Sequence, residues 1–150
     1  MNRFTGTLSS MEEVLDYIRE KPEISHHITH WHTIPAREAV YAEFPATLHT
    51  SLRQALQQRG IHRLYEHQAL TFEAVEQGKH TVTVTPTASG KTLCYNLPVL
   101  QTVLHDDSAR ALYLFPTKAL AQDQVSELQE TIEMIGANIK THTYEGDTPP

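Results

Sequence analysis

The chain has 150 residues, 39% of them hydrophobic and 20% charged, so it suits one domain and is too short for two large ones. Its net charge is −6, and neither residues 1–58 nor residues 59–150 hold an excess of Lys and Arg, which argues against a compact basic nucleic-acid-binding domain. The single cysteine, Cys94, excludes a disulfide framework and a cysteine-based zinc site. Because the apolar runs are short and the N-terminus has no signal core, we expect a cytoplasmic protein.

The first part of the chain is predicted to be a helical and extended arm. Ser10 and Glu13 fit a capping box that opens an amphipathic helix, and Pro22 ends it. Residues 23–46 show no clean periodicity and predict an extended segment, after which a helix around residues 48–56 stops at Gly60. Four histidines of the extended segment are either polar surface residues or metal ligands. They are His26, His27, His30 and His32.

From Gly60 onward, helices and strands are predicted to alternate. The predicted helices cover residues 66–77, about 90–105 and 117–135, and the predicted strands cover residues 81–85, 110–115 and 138–144. Short links between them indicate an α/β fold, with a parallel sheet covered by flanking helices. We expect Pro98 to kink or break its helix near residues 95–97, and Cys94 to be a small buried apolar residue.

The sharpest motif lies between the first predicted strand and the next helix, where a phosphate-binding loop belongs. Small residues let backbone N–H groups turn toward a phosphate, and the helix N-terminus adds partial positive charge. Lys91 would reach the β- and γ-phosphates of ATP, and the Thr92 hydroxyl would ligate Mg²⁺, so these two are the candidate catalytic residues. The motif reads Thr85-Pro86-Thr87-Ala88-Ser89-Gly90-Lys91-Thr92.

One departure leaves an alternative open. The strict pattern G-x-x-x-x-G-K-[ST] has glycine at the first position, where this chain has Thr85. The same Gly-Lys-Thr sequence would also occur in a glycine-initiated turn before a helix, with Lys91 and Thr92 exposed and no nucleotide site.

Together with its neighbours, the loop resembles the superfamily 2 DEAD/DEAH-box helicases, most closely their bacterial MrfA-like group, over about residues 31–150. The stretch GIHRLYEHQ at residues 60–68 looks like the Q motif, and the loop looks like motif I, the Walker A loop. PTKALAQDQ at residues 116–124 looks like motif Ia, and residues 144–148 look like the segment that follows it. The resemblance implies an incomplete RecA-like domain over residues 59–150, behind an arm over residues 1–58.

The resemblance also implies roles for single residues. ATP and Mg²⁺ would be the cofactors, with Gln68 recognising the adenine edge and Phe44 a candidate to stack on the base. At motif Ia, nucleic-acid phosphates would be held by Pro116, Thr117 and Lys118. Gly146 would similarly allow a close approach of the backbone.

Hydrolysis in this family also needs an acidic D-E-x-[HD] strand and arginines from a second RecA-like domain, which we do not find in the sequence. We therefore expect an N-terminal fragment of an ATP-dependent DNA helicase that does not hydrolyse ATP alone. Its partners would be ATP, single-stranded nucleic acid and the missing second domain. Three alternatives stay open: an RNA helicase of the same superfamily, a phosphate-loop NTPase that is not a helicase, and an inactive remnant.

Overall fold

The structure is a computed structural model that describes residues 10–36, 38–87 and 89–144. Contacts between Cα atoms divide the chain into two compact units, Met1–Glu38 and Ala39–Pro150. In the described ranges, none of the helices combines the length and apolar composition that a bilayer span requires.

In residues 10–36 of the first unit, the structure shows the helices α1 (Met11–Glu20) and α2 (Pro22–Ser25). The Ser10 hydroxyl accepts the backbone N–H of Glu13 at 3.2 Å, which confirms the predicted N-cap of α1. Pro22 follows the end of α1 and occupies the first turn of α2, where its missing N–H costs nothing. The sequence did not predict α2, because four residues are too few to show a helical period.

The described residues of the second unit form two short strands and four helices. The strands β1 (Tyr41–Ala42) and β2 (Leu64–Tyr65) pair antiparallel, with Tyr41 opposite Tyr65 and Ala42 opposite Leu64. The helices lie close to their predicted positions, because their caps and apolar periods are local signals. They are α3 (Thr50–Gln58), α4 (Glu66–Glu76), α5 (Lys91–His105) and α6 (Lys118–Ile135).

Helix α3 belongs to the second unit, although the sequence placed it in an arm that ends at residue 58. It packs against α5 and α6, and Leu52 and Leu56 are 0% and 1% exposed. Arg59, at its C-terminal end, donates to the Glu127 carboxylate and the Thr131 hydroxyl of α6. The two compact units meet at residues 38/39.

The core is built from apolar faces of the four helices and β2, with α4 against α5 as its largest contact. Burial of these side chains is the main favourable contribution to folding. The fully buried large side chains are Leu52, Leu56, Leu64, Phe72, Leu97 and Leu100.

Helix α5 runs without interruption through Pro98, so a break near residues 95–97 is excluded, and a kink there stays a prediction. Proline removes one helical hydrogen bond and costs several kcal/mol (about 3) in an exposed helix interior. Here Leu97, Pro98 and Leu100 are all buried, so packing in the core offsets that cost. Cys94 on the same helix is 4% exposed, and burial raises the pKa of its thiol, which confirms a small apolar core residue.

The predicted parallel sheet is not formed by the described residues. Residues 81–85, 110–115 and 138–144 lie outside helices and strands, and no backbone-to-backbone hydrogen bond joins them to another segment in the ranges that the structure describes. A β-strand exists only against a lateral partner, so a correct local pattern is insufficient without one.

Two of these segments, residues 81–85 and 110–115, nevertheless keep the alternation of a strand. The hydroxyl of Thr83 lies 3.1 Å from that of Thr71 on α4, and the Tyr113 hydroxyl donates to Asn96 of α5 at 3.0 Å. The intervening residues face away from these helices and are 84–91% exposed. They are Val82, Val84, Leu112 and Leu114. The helices thus cover one face of the segments and leave the other uncovered.

Truncation of one buried leucine should separate core packing from helix propensity. We expect Leu56→Ala to lower the free energy of unfolding by about 3 kcal/mol, because it leaves a cavity at a side chain that is 1% exposed. Leu70→Ala makes the same change at a helical residue that is 57% exposed and should cost within about 0.5 kcal/mol. Urea denaturation of both variants measures the difference, and equal losses would contradict this description of the core.

Candidate functional site

The loop of residues 85–92 enters α5 at Gly90, which is the N-cap of the helix. Gly90 has φ +70°, a left-handed conformation that residues with a Cβ rarely adopt. A Cβ at Gly90 would also lie 2.6 Å from Nε2 of Gln68. Glycine is therefore required here both by the backbone conformation and by the close approach of the Gln68 side chain.

Gln68 joins the loop to the start of α4. Its Oε1 accepts the backbone N–H of Tyr65 at 2.9 Å, and its Nε2 donates to the carbonyl of Gly90 at 2.8 Å. The residue is 3% exposed, and the neighbouring His67 donates from Nε2 to the Ser89 carbonyl at 3.0 Å. The amide oxygen keeps a second lone pair and the amide nitrogen a second hydrogen.

The ammonium group of Lys91 lies across its own loop. Nζ donates to the carbonyl oxygens of Pro86 at 2.7 Å and Thr85 at 3.0 Å. The hydroxyl oxygens of Thr85 and Ser89 lie at 3.3 and 3.4 Å, and the two hydroxyls are bonded to each other. A positive charge is thus held in the loop, at the N-terminus of a helix.

Thr92 faces α6 rather than the loop. Its hydroxyl donates to Oε1 of Gln124 at 3.2 Å, and the Tyr95 hydroxyl donates to the same oxygen. Pro86 and Thr87 are exposed, and the predicted loop residue Ala88 lies outside the described residues.

A cavity of about 790 Å³ lies beside the loop and has room for a nucleotide. It brings together the predicted residues Gln68, Ser89, Gly90, Lys91 and Thr92. The full lining is Tyr41, residues 59–63, Tyr65, Gln68, residues 89–93 and Glu127.

Among the lining residues that the sequence analysis did not name as site residues are Tyr41 and Arg63. Tyr41 stacks on Tyr65 with ring centroids 5.1 Å apart, and the Arg63 guanidinium lies 4.8 Å from the Tyr41 ring centroid. The pairing of β1 with β2 brings Tyr41 here, and a two-residue strand gives no signal in the sequence. Phe44, the aromatic candidate from the sequence, packs against the hydrophobic core and is not among the cavity-lining residues.

The predicted nucleic-acid contacts Pro116, Thr117 and Lys118 are exposed at the start of α6. The Thr117 hydroxyl oxygen accepts the backbone N–H of Leu120 at 3.3 Å, so Thr117 caps the helix. Its hydroxyl hydrogen can still be donated to a phosphate oxygen. Gly146 lies outside the described residues.

The histidines of the first unit are not arranged as a metal site. His26 and His27 have ring centroids 3.8 Å apart, and His30 and His32 have centroids 6.3 Å apart. Over the ranges that the structure describes, no group of three or more His, Cys, Asp or Glu side chains is placed to hold a metal ion.

Comparison with known proteins places this geometry among helicases. The sequence profile of the DEAD/DEAH box helicase family matches residues 65–150. The chain is 56% identical over 123 residues to YprA of Bacillus subtilis, described as an uncharacterized ATP-dependent helicase, and this match covers 82% of the chain. It is 38% identical over 145 residues, or 93% of the chain, to the ATP-dependent helicase hrq1 of Schizosaccharomyces pombe. The chain spans 16% and 14% of the lengths of these two relatives.

Among solved structures, the chain resembles the DUF1998 helicase MrfA bound to DNA and AMPPNP. The TM-score is 0.81 at 50% sequence identity, over 95% of this chain and 19% of that one. A second MrfA structure, bound to DNA, gives a TM-score of 0.79 at 50% identity, over 95% of this chain and 18% of that one. These similarities indicate a RecA-like α/β fold.

The close approach of Gly90 and Gln68 can be tested by adding one methyl group. Gly78→Ala introduces a Cβ at φ +73° in open space and should cost about 1–2 kcal/mol of stability from backbone strain alone. Gly90→Ala has nearly the same φ but must also displace Gln68, so we expect it to cost about 1 kcal/mol more than Gly78→Ala. Urea denaturation measures both, and equal costs would show that the Gln68 contact is dispensable.

Proposed function

The chain belongs to the DEAD/DEAH box helicase family, and from that premise we propose that its second unit binds ATP with Mg²⁺ as part of an ATP-dependent DNA helicase. The observation that carries the proposal is the position of the Lys91 ammonium, held in a loop at the N-terminus of α5 beside a nucleotide-sized cavity. Charge, free helix N–H groups and space for a ligand coincide there.

The loop residues fit a nucleotide phosphate. Gly90 has no side chain to obstruct the backbone, and the start of α5 supplies N–H donors and partial positive charge. Lys91 now donates to the carbonyls of Thr85 and Pro86, which are neutral acceptors. A phosphate oxygen is a charged and stronger acceptor, so the ammonium group would transfer to it. When bound, ATP supplies the phosphoanhydride whose hydrolysis drives the helicase, and Mg²⁺ neutralises charge on its phosphates.

The base would lie where Gln68, Tyr41 and Arg63 line the cavity. Gln68 has one donor and one acceptor position left, which can pair with the exocyclic amine and N7 of adenine. We propose Tyr41, in place of Phe44, as the aromatic residue beside the base, because its ring is 46% exposed and lines the cavity. Thr92 is the proposed ligand for Mg²⁺ through its hydroxyl oxygen.

Nucleic acid would be held at the start of α6 by Pro116, Thr117 and Lys118, with Gly146 as a further proposed contact. Three donors suited to phosphate oxygens lie here: the helix N-terminus, the Thr117 hydroxyl hydrogen and the Lys118 ammonium. Contacts with phosphate oxygens do not distinguish one base sequence from another. We propose single-stranded DNA as the ligand, because the similar MrfA is bound to DNA in its structures. A net charge of −6 agrees with a few such contacts rather than a broad basic surface.

We assign nucleotide binding, and not hydrolysis, to these residues alone. Of the described residues that line the cavity, Glu127 is the one carboxylate, and its Oε1 accepts from Nη2 of Arg59 at 3.3 Å. In the structure this carboxylate joins α6 to Arg59 at the C-terminal end of α3. Hydrolysis would also need an acidic D-E-x-[HD] strand of the same RecA-like domain and arginines of a second RecA-like domain. A cytoplasmic location belongs to the same proposal.

Removal of the Lys91 ammonium should abolish most of the nucleotide affinity. We expect Lys91→Ala to raise the Kd for fluorescent mant-ATP, with Mg²⁺ present, by about 10- to 100-fold, the value of a charge-assisted hydrogen bond. Lys79→Ala is the matched control, because Lys79 is exposed and donates to Gln77 away from the loop. Equal affinities of Lys91→Ala and the unmodified protein would support an inactive remnant instead.

Removal of the Lys118 ammonium should weaken DNA binding without changing its sequence preference. We expect Lys118→Ala to reduce the affinity for a fluorescein-labelled oligothymidine strand and to reduce the slope of log K against log salt by about 0.7. Lys140→Ala removes an equal, exposed charge from the segment after α6 and should leave the slope unchanged. The same loss in both variants would show that only overall charge matters.

A further inference from the structure

Gln124 on α6 makes an unusual contact with the loop helix. Its amide oxygen accepts two hydrogen bonds from α5, one from the Thr92 hydroxyl at 3.2 Å and one from the Tyr95 hydroxyl. Thr92 is the proposed Mg²⁺ ligand, and Gln124 lies on the helix whose first residues are the proposed contacts with nucleic acid. The pair therefore joins the two halves of the proposed site.

The chemistry of a hydroxyl group gives this contact a direction. A threonine hydroxyl has one hydrogen and two acceptor lone pairs. When the hydrogen is donated to Gln124, both lone pairs remain on the oxygen, and a cation binds to lone pairs. The bond also selects one rotamer of the Thr92 side chain from the staggered positions that χ1 allows.

A second donor holds the Gln124 oxygen in place. The Tyr95 ring packs edge-on against the Tyr113 ring, with centroids 5.8 Å apart. Tyr113 in turn donates to the Asn96 side chain at 3.0 Å, and burial raises the pKa of its phenol so that it keeps the hydrogen. The Gln124 amide is thus oriented with its oxygen toward both hydroxyls.

We propose that Gln124 is a positioning residue for Mg²⁺·ATP. Its amide oxygen accepts the hydrogen bond of the Thr92 hydroxyl, and this bond orients the lone pairs of the Thr92 oxygen toward the cation. This inference rests on the proposed ATP site. It differs from a role in which Gln124 only ties α6 to α5, because a tie of that kind would affect ATP with and without Mg²⁺ equally.

The test compares affinities for mant-ATP measured in Mg²⁺ and in EDTA. In Mg²⁺ we expect Gln124→Leu to raise the Kd by about three- to tenfold, the worth of one neutral hydrogen bond. In EDTA the Kd should change by less than about twofold. The matched control is Gln129→Leu, the same change on α6 at an exposed glutamine whose Nε2 donates to Thr141. Both of its Kd values should stay at those of the unmodified protein.

Two further variants keep the test decisive. Gln124→Met preserves the length of the side chain without a good acceptor and should give the same Mg²⁺-selective loss if the leucine variant folds poorly. The loss from Gln124→Leu should also vanish in a Thr92→Val background, because a residue that acts through Thr92 has no effect once the hydroxyl is gone.

Three results would overturn the inference. They are an unchanged Kd for Gln124→Leu and Gln124→Met, an equal loss in Mg²⁺ and in EDTA, and a loss that persists in the Thr92→Val background. Failure of the unmodified protein to bind mant-ATP would overturn the proposed function and this inference with it. A Lys91-dependent affinity that is insensitive to Gln124 would overturn the inference alone.

Discussion

The side-chain amide of Gln68 holds together the elements on which the rest of the site depends. The amide oxygen accepts a hydrogen bond from the N–H of Tyr65 at the end of β2, and the amide nitrogen donates one to the carbonyl of Gly90 at the start of α5. Because the group is 3% exposed, breaking either bond would leave a buried polar atom unsatisfied, at about 1–3 kcal/mol. Gly90 is constrained by the same contact, since a Cβ there would collide with Nε2.

Helix α5 connects the Gly90–Gln68 contact to the hydrophobic core and to α6. Its first turn holds Lys91 and Thr92, its middle contributes Leu97 and Leu100 to the core, and Thr92 and Tyr95 bond to α6 through Gln124. A helix anchored by a buried face can support polar groups at its end in fixed positions. The apolar core and the proposed ligand site are therefore two ends of one rigid element.

The segments of residues 81–85 and 110–115 contact α4 and α5 on one face and are exposed on the other. Thr83 and Tyr113 bond to the helices, whereas Val82, Val84, Leu112 and Leu114 are 84–91% exposed. The match to the DEAD/DEAH box family and the similarity to MrfA indicate a RecA-like α/β fold. The described residues show the helical layer on one side of these segments, together with the strand-like alternation of their side chains.

Features that depend on neighbours along the chain can be predicted from the amino-acid sequence. Ser10 and Thr117 cap their helices, and the apolar periods of α3 to α6 place the core, because each signal is complete within a few residues. The order of motifs also predicted the helicase family. Features that depend on residues far apart in the sequence require the folded structure. No sequence pattern shows that residues 81–85 and 110–115 lack a lateral hydrogen-bonding partner among the described residues. Nor could a pattern place Tyr41 beside Tyr65, or Gln124 against Thr92, since each pair is separated by many residues. The first pair meets only when β1 and β2 pair, and the second only when α5 and α6 pack.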